Sequence, residues 1–150
     1  MQASPRNPEE RLRQLSARDF ASDNPMASGS EELWFICKEL RDRGAVMECA
    51  DDIFDLMERL DDVDLGSPGP LVHSLESTGT AYEPSLKASL RRKPTPLSVW
   101  MVNRILNTDR ADRRHWLDLL DMAATHPSAS EATRADVRDF LAFQAKCGQP

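Results

Sequence analysis

Between residues 46 and 60 the apolar side chains Val46, Cys49, Ile53, Leu56, Met57 and Leu60 recur at intervals of 3, 4, 3, 1 and 3. At about 100° per residue, the angular step of an α-helix, they occupy one sector roughly 100° wide. Glu48, Asp51, Asp55, Glu58 and Asp62 fall on the opposite side. This segment is therefore an amphipathic helix with one apolar face to bury and a solvated, strongly negative back. A chain built around such an element needs other helices to cover the apolar face.

The rest of the sequence supplies them. Ser28 and Glu31 have the S-x-x-E spacing of a capping box, so a helix opens there. It carries Leu33, Phe35, Ile36, Cys37 and Leu40 and stops at Gly44. The stretch 61–70 holds two prolines and two glycines and reads as a loop. Short helices follow over 70–77, with Leu71, Val72 and Leu75, and over 82–92, with Leu86 and Leu90. Thr95 before Pro96 gives an N-cap with proline at the first helical position. The helix from 96 to 107 is apolar on most sides, which predicts that Trp100, Met101 and Ile105 are buried. Two further amphipaths cover 111–124 (Trp116, Leu117, Leu120, Ala123) and 130–146 (Val137, Phe140, Leu141), the latter capped through Ser128 and Glu131.

Seven helices joined by short connections make an all-α fold of antiparallel hairpins. Helix starts near 31, 46, 70, 82, 96, 111 and 130 suit a short HEAT-like α-solenoid, and an irregular helical bundle is the alternative. Residues 1–7 are polar and are expected to be disordered. A short helix is expected over 8–20, within a flexible segment 1–27 that precedes a single all-α domain over 28–147. A length of 150 residues suits one domain.

The net charge is −6, which is not the footprint of a nucleic-acid binder. It is unevenly spread. Residues 31–64 hold 12 acids and 4 bases, a charge of −8, whereas residues 83–114 hold 3 acids and 8 bases, a charge of +5. The bases are Lys87, Arg91, Arg92, Lys93, Arg104, Arg110, Arg113 and Arg114, and they lack the interleaved aromatics of a nucleic-acid surface. The acids lie on a helix and its exit, not at the alternating positions of a calcium loop. Asp51, Asp55, Glu58 and Asp62 stand along one exposed stripe, a candidate docking face for a basic partner.

Cys37, Cys49 and Cys147 make neither an even disulfide set nor a CxxC pair, and Cys37 and Cys49 fall on apolar faces. His73, His115 and His126 lack zinc-site spacing. No nucleotide-binding, nucleophile-elbow or deaminase motif occurs. The reading is a non-enzymatic protein without metal or cofactor. With no apolar leader and no membrane-length run, it is expected in the cytoplasm and off the membrane.

The stretches PLVHSLE (70–76), SLRRKPTPLSVWMVNRILN (89–107) and HWLDLLDMAATHPSASEATRADVRDFLAFQ (115–144) resemble the HEAT-like immunity proteins of bacterial polymorphic and contact-dependent toxin systems. The most characteristic piece is Arg91-Arg92-Lys93-Pro94-Thr95-Pro96, running on to Trp100 and Asn103-Arg104. The likeness implies a protein that binds a cognate toxin domain and occludes its active site; the acidic face, which the likeness does not supply, suits a toxin that is a basic enzyme such as a nuclease. Immunity surfaces diverge with their toxins, so the likeness transfers no binding residue. A helical-repeat adaptor without a toxin partner is the alternative.

Overall fold

The computed structural model describes residues 7–66 and 68–147, so most of the expected disordered start lies outside the described residues. Eight α-helices and two 3-10 turns form among them, with no strand. The fold is all-α, and the seven helices expected from residue 31 onward all form. By its internal contacts the chain divides into two compact units, residues 1–83 and 84–150. The boundary expected at residue 28 falls inside the first unit.

The first unit contains α1 (Pro8–Gln14), a 3-10 turn (Ala17–Phe20), α2 (Gly29–Asp42), a second 3-10 turn (Met47–Cys49), α3 (Ala50–Arg59) and α4 (Gly69–Glu76). The helix expected over 8–20 is broken, because Leu15 and Ser16 are both extended, with ψ of 135° and 168°. Its first half is not a loose tail. α1 packs on both α2 and α3, and Leu12 is 0% exposed. α2 packs on α4.

Ser28 is the N-cap of α2, but its side chain makes no capping bond. Its backbone (φ −135°, ψ 20°) lies outside the extended region from which a hydroxyl reaches the third amide. The other end behaves as expected. Gly44 takes φ 63°, and the amides of Gly44 and Ala45 return to the carbonyls of Arg41 and Leu40, closing a Schellman turn. Gly29, the first residue of α2, is buried. A Cβ there would lie 2.7 Å from the Asp19 carbonyl oxygen and 2.9 Å from the Phe20 ring.

Every member of the periodic set from Val46 to Leu60 is buried, and Phe54 joins them. The first turn of that segment is 3-10 instead of α. Phe35, expected in the core, is 55% exposed. Leu33, Ile36, Cys37 and Leu40 form the i, i+3, i+4, i+7 face, and Phe35 lies about 200° round from Leu33.

α5 (Glu83–Arg92) opens at the boundary between the units, and α6 (Pro96–Leu106), α7 (Arg113–Ala123) and α8 (Glu131–Cys147) complete the second. α6, α7 and α8 pack on one another in all three pairings. Thr95 caps α6 reciprocally: its Oγ1 accepts from the Ser98 amide at 3.1 Å, and Ser98 Oγ accepts from the Thr95 amide at 2.9 Å. The cap of α8 differs from expectation, because Ser130 accepts from the Thr133 amide at 3.1 Å, two residues beyond the predicted Ser128.

Met101 and Ile105 are buried as expected, but Trp100 is half-buried, with the Arg104 guanidinium 4.9 Å from its ring centroid. The fully enclosed tryptophan is Trp116. Leu117, Phe140 and Leu141 are half-buried instead of core, and Leu119, Thr133 and Gln144 are buried in positions the apolar pattern did not mark.

Candidate interaction surface

The four stripe carboxylates do not share one helix. Asp51 and Asp55 are exposed on α3 and Glu58 is half-buried there, while Asp62 lies beyond the helix end at Arg59. Leu60, with φ −114° and ψ 42°, leaves helical geometry and turns the chain away. Asp55 is paired with Arg59 at 2.8 Å. The neighbouring Asp52 takes Arg13 of α1 at 3.0 Å, and that hydrogen bond, with the Asp52 charge, raises the Arg13 pKa. Part of the negative face is thus answered from within the chain.

Three basic residues of the second unit, Lys87, Arg110 and Arg113, serve its packing. Lys87 Nζ lies 4.9 Å from the Trp116 ring centroid, and the Arg110 guanidinium lies 5.9 Å from it. Arg110 also pairs with Asp112 at 2.9 Å, and Asp112 accepts from Trp116 Nε1 at 3.0 Å. Burial works to raise the Asp112 carboxyl, but the hydrogen bonds from Trp116 and Arg110, with the Arg110 charge, outweigh it and lower its pKa. Arg113 donates to the Leu106 carbonyl at 2.6 Å and to Gln144 Oε1 at 3.0 Å. Gln144 in turn donates to Asn103 Oδ1 and Asn107 Oδ1, each at 2.8 Å, so one amide from α8 ties α6 to the start of α7.

His126, Cys37 and Cys49 are built into the packing. His126 Nε2 lies 2.7 Å from the Arg91 carbonyl oxygen, and its Nδ1 accepts from the Ser128 amide at 3.0 Å, fastening the end of α5 to the turn before α8. His73 is exposed. Burial pushes the Cys37 thiol, beside Ser74, up to about 11. Burial, with the carboxylate of Glu9 adding to it, does the same to Cys49. At neutral pH neither is a thiolate nucleophile. Among the described residues no group of three His, Cys, Asp or Glu is placed to hold a metal ion, and no helix is long and apolar enough to cross a membrane.

Sequence reasoning missed the most exposed aromatic surface. Trp34 and Phe35 are 47% and 55% exposed and meet edge to face, with ring centroids 5.1 Å apart. Phe35 opens onto a groove of about 460 Å³ that runs along α2 past Lys38, Glu39 and Asp42 to Arg43, with Arg11 of α1 on its flank. Its charges are paired: Lys38 with Asp42 at 2.7 Å, Arg43 with Glu39 at 2.9 Å, Arg11 with Glu39 at 3.0 Å. The signal was present in the sequence, since both aromatics fall off the i, i+3, i+4, i+7 face set by Leu33. In the second unit a groove of about 520 Å³ lies between α7 and α8, where the half-buried Leu117 and Leu141 sit among Arg114, Asp118 and Asp121.

An apolar anchor inside a rim of paired charges is suited to protein binding, because aromatics bury large area at small entropic cost while the rim excludes water. No protein-family model matches the chain, nor does any curated protein or solved structure.

Proposed function

We propose that this chain is a binding protein, not an enzyme, and that it neutralises a cognate bacterial toxin domain by covering its active site. The observation that carries the binding half is the exposed Trp34–Phe35 pair on α2. The toxin half rests on the resemblance of residues 70–76, 89–107 and 115–144 to HEAT-like immunity proteins. The stacked-hairpin, HEAT-like arrangement belongs to the same proposal. It is supported by the packing of α2 on α4 and of α6 on α8, contacts between helices two apart in the chain such as a repeat array makes.

The partner contributes a basic surface. Asp51, Asp55, Glu58 and Asp62 act mainly on the rate at which it arrives, and Trp34 and Phe35 on how long it stays. Co-expression with the toxin domain encoded beside this chain should restore growth, and the two should co-purify with the toxin chemically unchanged. Replacing Trp34 and Phe35 together by alanine should weaken the complex by about 30-fold or more through faster dissociation, with the fold intact because both rings face solvent. Reversing the four carboxylates to lysine should slow association at low salt and leave dissociation nearly unchanged. Failure to bind the neighbouring toxin while capturing another protein through Trp34 and Phe35 would leave the helical adaptor as the correct reading.

A further inference from the structure

α1 has the properties of a docked ligand that happens to be covalently attached. Seven residues are too few to hold a helix in water, so α1 exists because the seam between α2 and α3 holds it. Leu12 of α1 and Leu15 at its C-cap are both buried. Its two arginines reach the acids on either side: Arg11 meets Glu32 at 2.8 Å and Glu39 at 3.0 Å on α2, and Arg13 meets Asp52 at 3.0 Å on α3. Arg59 of α3 closes the far end, donating to the carbonyls of Leu12 at 3.1 Å and Leu15 at 3.0 Å. The seam therefore reads an amphipathic helix by its arginine-flanked leucine, Arg-Leu-Arg, then a second leucine three positions after the first, with the last carbonyls taken by an arginine; Glu9 and Glu10 in the first turn leave α1 without net charge.

The attachment is weak by construction. The side chains of Arg13, Glu32 and Glu39 are 56%, 40% and 31% exposed, so these ion pairs compete with water and salt. The burial of Pro8, Leu12 and Leu15 does not by itself offset the entropy of ordering the whole segment, so the ion pairs and the Arg59 bonds decide the balance. The chain also has a place to turn, since Leu15 and Ser16 are extended between α1 and the 3-10 turn on α2. A tether of this length keeps α1 at a high effective concentration without new contacts.

We propose that α1 is a displaceable latch, and that the α2–α3 seam beneath it is a docking groove for a partner protein's amphipathic helix with arginines on both sides of a buried leucine. This concerns the seam alone and does not depend on the partner being a toxin. A fluorescent peptide of residues 7–16 is the probe, titrated into the full chain. Arg11→Glu with Arg13→Glu weakens the latch without altering the groove. That chain should bind the peptide about tenfold more tightly than the unaltered chain, since the open fraction sets the apparent affinity. The same two changes placed in the peptide should remove the binding. A helical, folded double variant with no affinity for the peptide overturns the proposal. The unaltered chain gives a second reading: amides 11–15 should exchange with solvent at least about 100-fold faster than those of α3, by local opening. Protection of α1 equal to that of α3 would make it a fixed part of the core, and the proposal would fall even if the double variant did not fold.

Discussion

The two units solve the same problem, holding short helices together, with polar groups placed in opposite environments. In the first, the links across α1, α2 and α3 are arginine–carboxylate pairs at the solvent margin over an apolar interior. In the second, the links are inside: Gln144 is 2% exposed and bonded to Asn103, Asn107 and Arg113, and Trp116 is 0% exposed with its indole N–H on Asp112. Exposed pairs stabilise little and are screened, whereas a buried network fixes one arrangement and is costly to break in part. The first unit is thus the adjustable half, and the second the half with a single packing solution.

The largest effect should come from Trp116→Ala in the second unit, costing about 3–5 kcal/mol by calorimetry or denaturant titration, because a full indole volume is emptied and the Asp112 bond is lost. Trp100→Ala, at a half-buried ring under Arg104, should cost clearly less; equal losses would show that exposure does not separate the two tryptophans. Gln144→Ala comes next at about 2 kcal/mol, since it removes three side-chain hydrogen bonds around one buried amide, and it should be insensitive to salt.

Alkaline pH gives a comparison from the first unit. Cys37 is raised by burial to about 11 in the folded chain, so its neutral form favours folding below the ordinary thiol range, and that contribution is lost as pH rises toward 11. Relative to Cys37→Ala, the unaltered chain should lose about 2 kcal/mol over that window. A parallel pH dependence in the two chains would mean that Cys37 ionises without opening the core.

The smallest effect is expected of Arg13→Ala. Its destabilisation should be slight at low ionic strength and vanish at about 1 M salt, in contrast to Gln144→Ala. If the salt dependences were reversed, the contrast between the units would be wrong.

What could be read in the sequence follows the same division. The periodic set from Val46 to Leu60, the Gly44 stop and the Thr95–Pro96 start were legible because each is a local pattern, complete within one turn or one face. Leu12 and Gln144 were not assigned their roles, because these depend on residues tens of positions away: Gln144 on Asn103, Leu12 on α2 and α3. Phe35 was misplaced for a different reason, since its hydrophobicity was counted without its angle. The acidic stripe was legible as composition, but the pairing of the neighbouring Asp52 with Arg13 was hidden, because residues 8–15 read as part of a short helix within a flexible segment.

Gly29 carries a consequence for how freely this chain can vary. The missing side chain there is occupied by another stretch of backbone, the Asp19 carbonyl at 2.7 Å from where a Cβ would stand, and a backbone cannot step aside as a lysine tip can. In a library randomised at every position, residue 29 should therefore accept only glycine, whereas at Gly44, where nothing lies within 4 Å, asparagine should survive. One hydrogen atom at the start of α2 thus makes residues 19 and 20 and residue 29 inherit one another: a descendant that loses the glycine must also redraw the turn that precedes it.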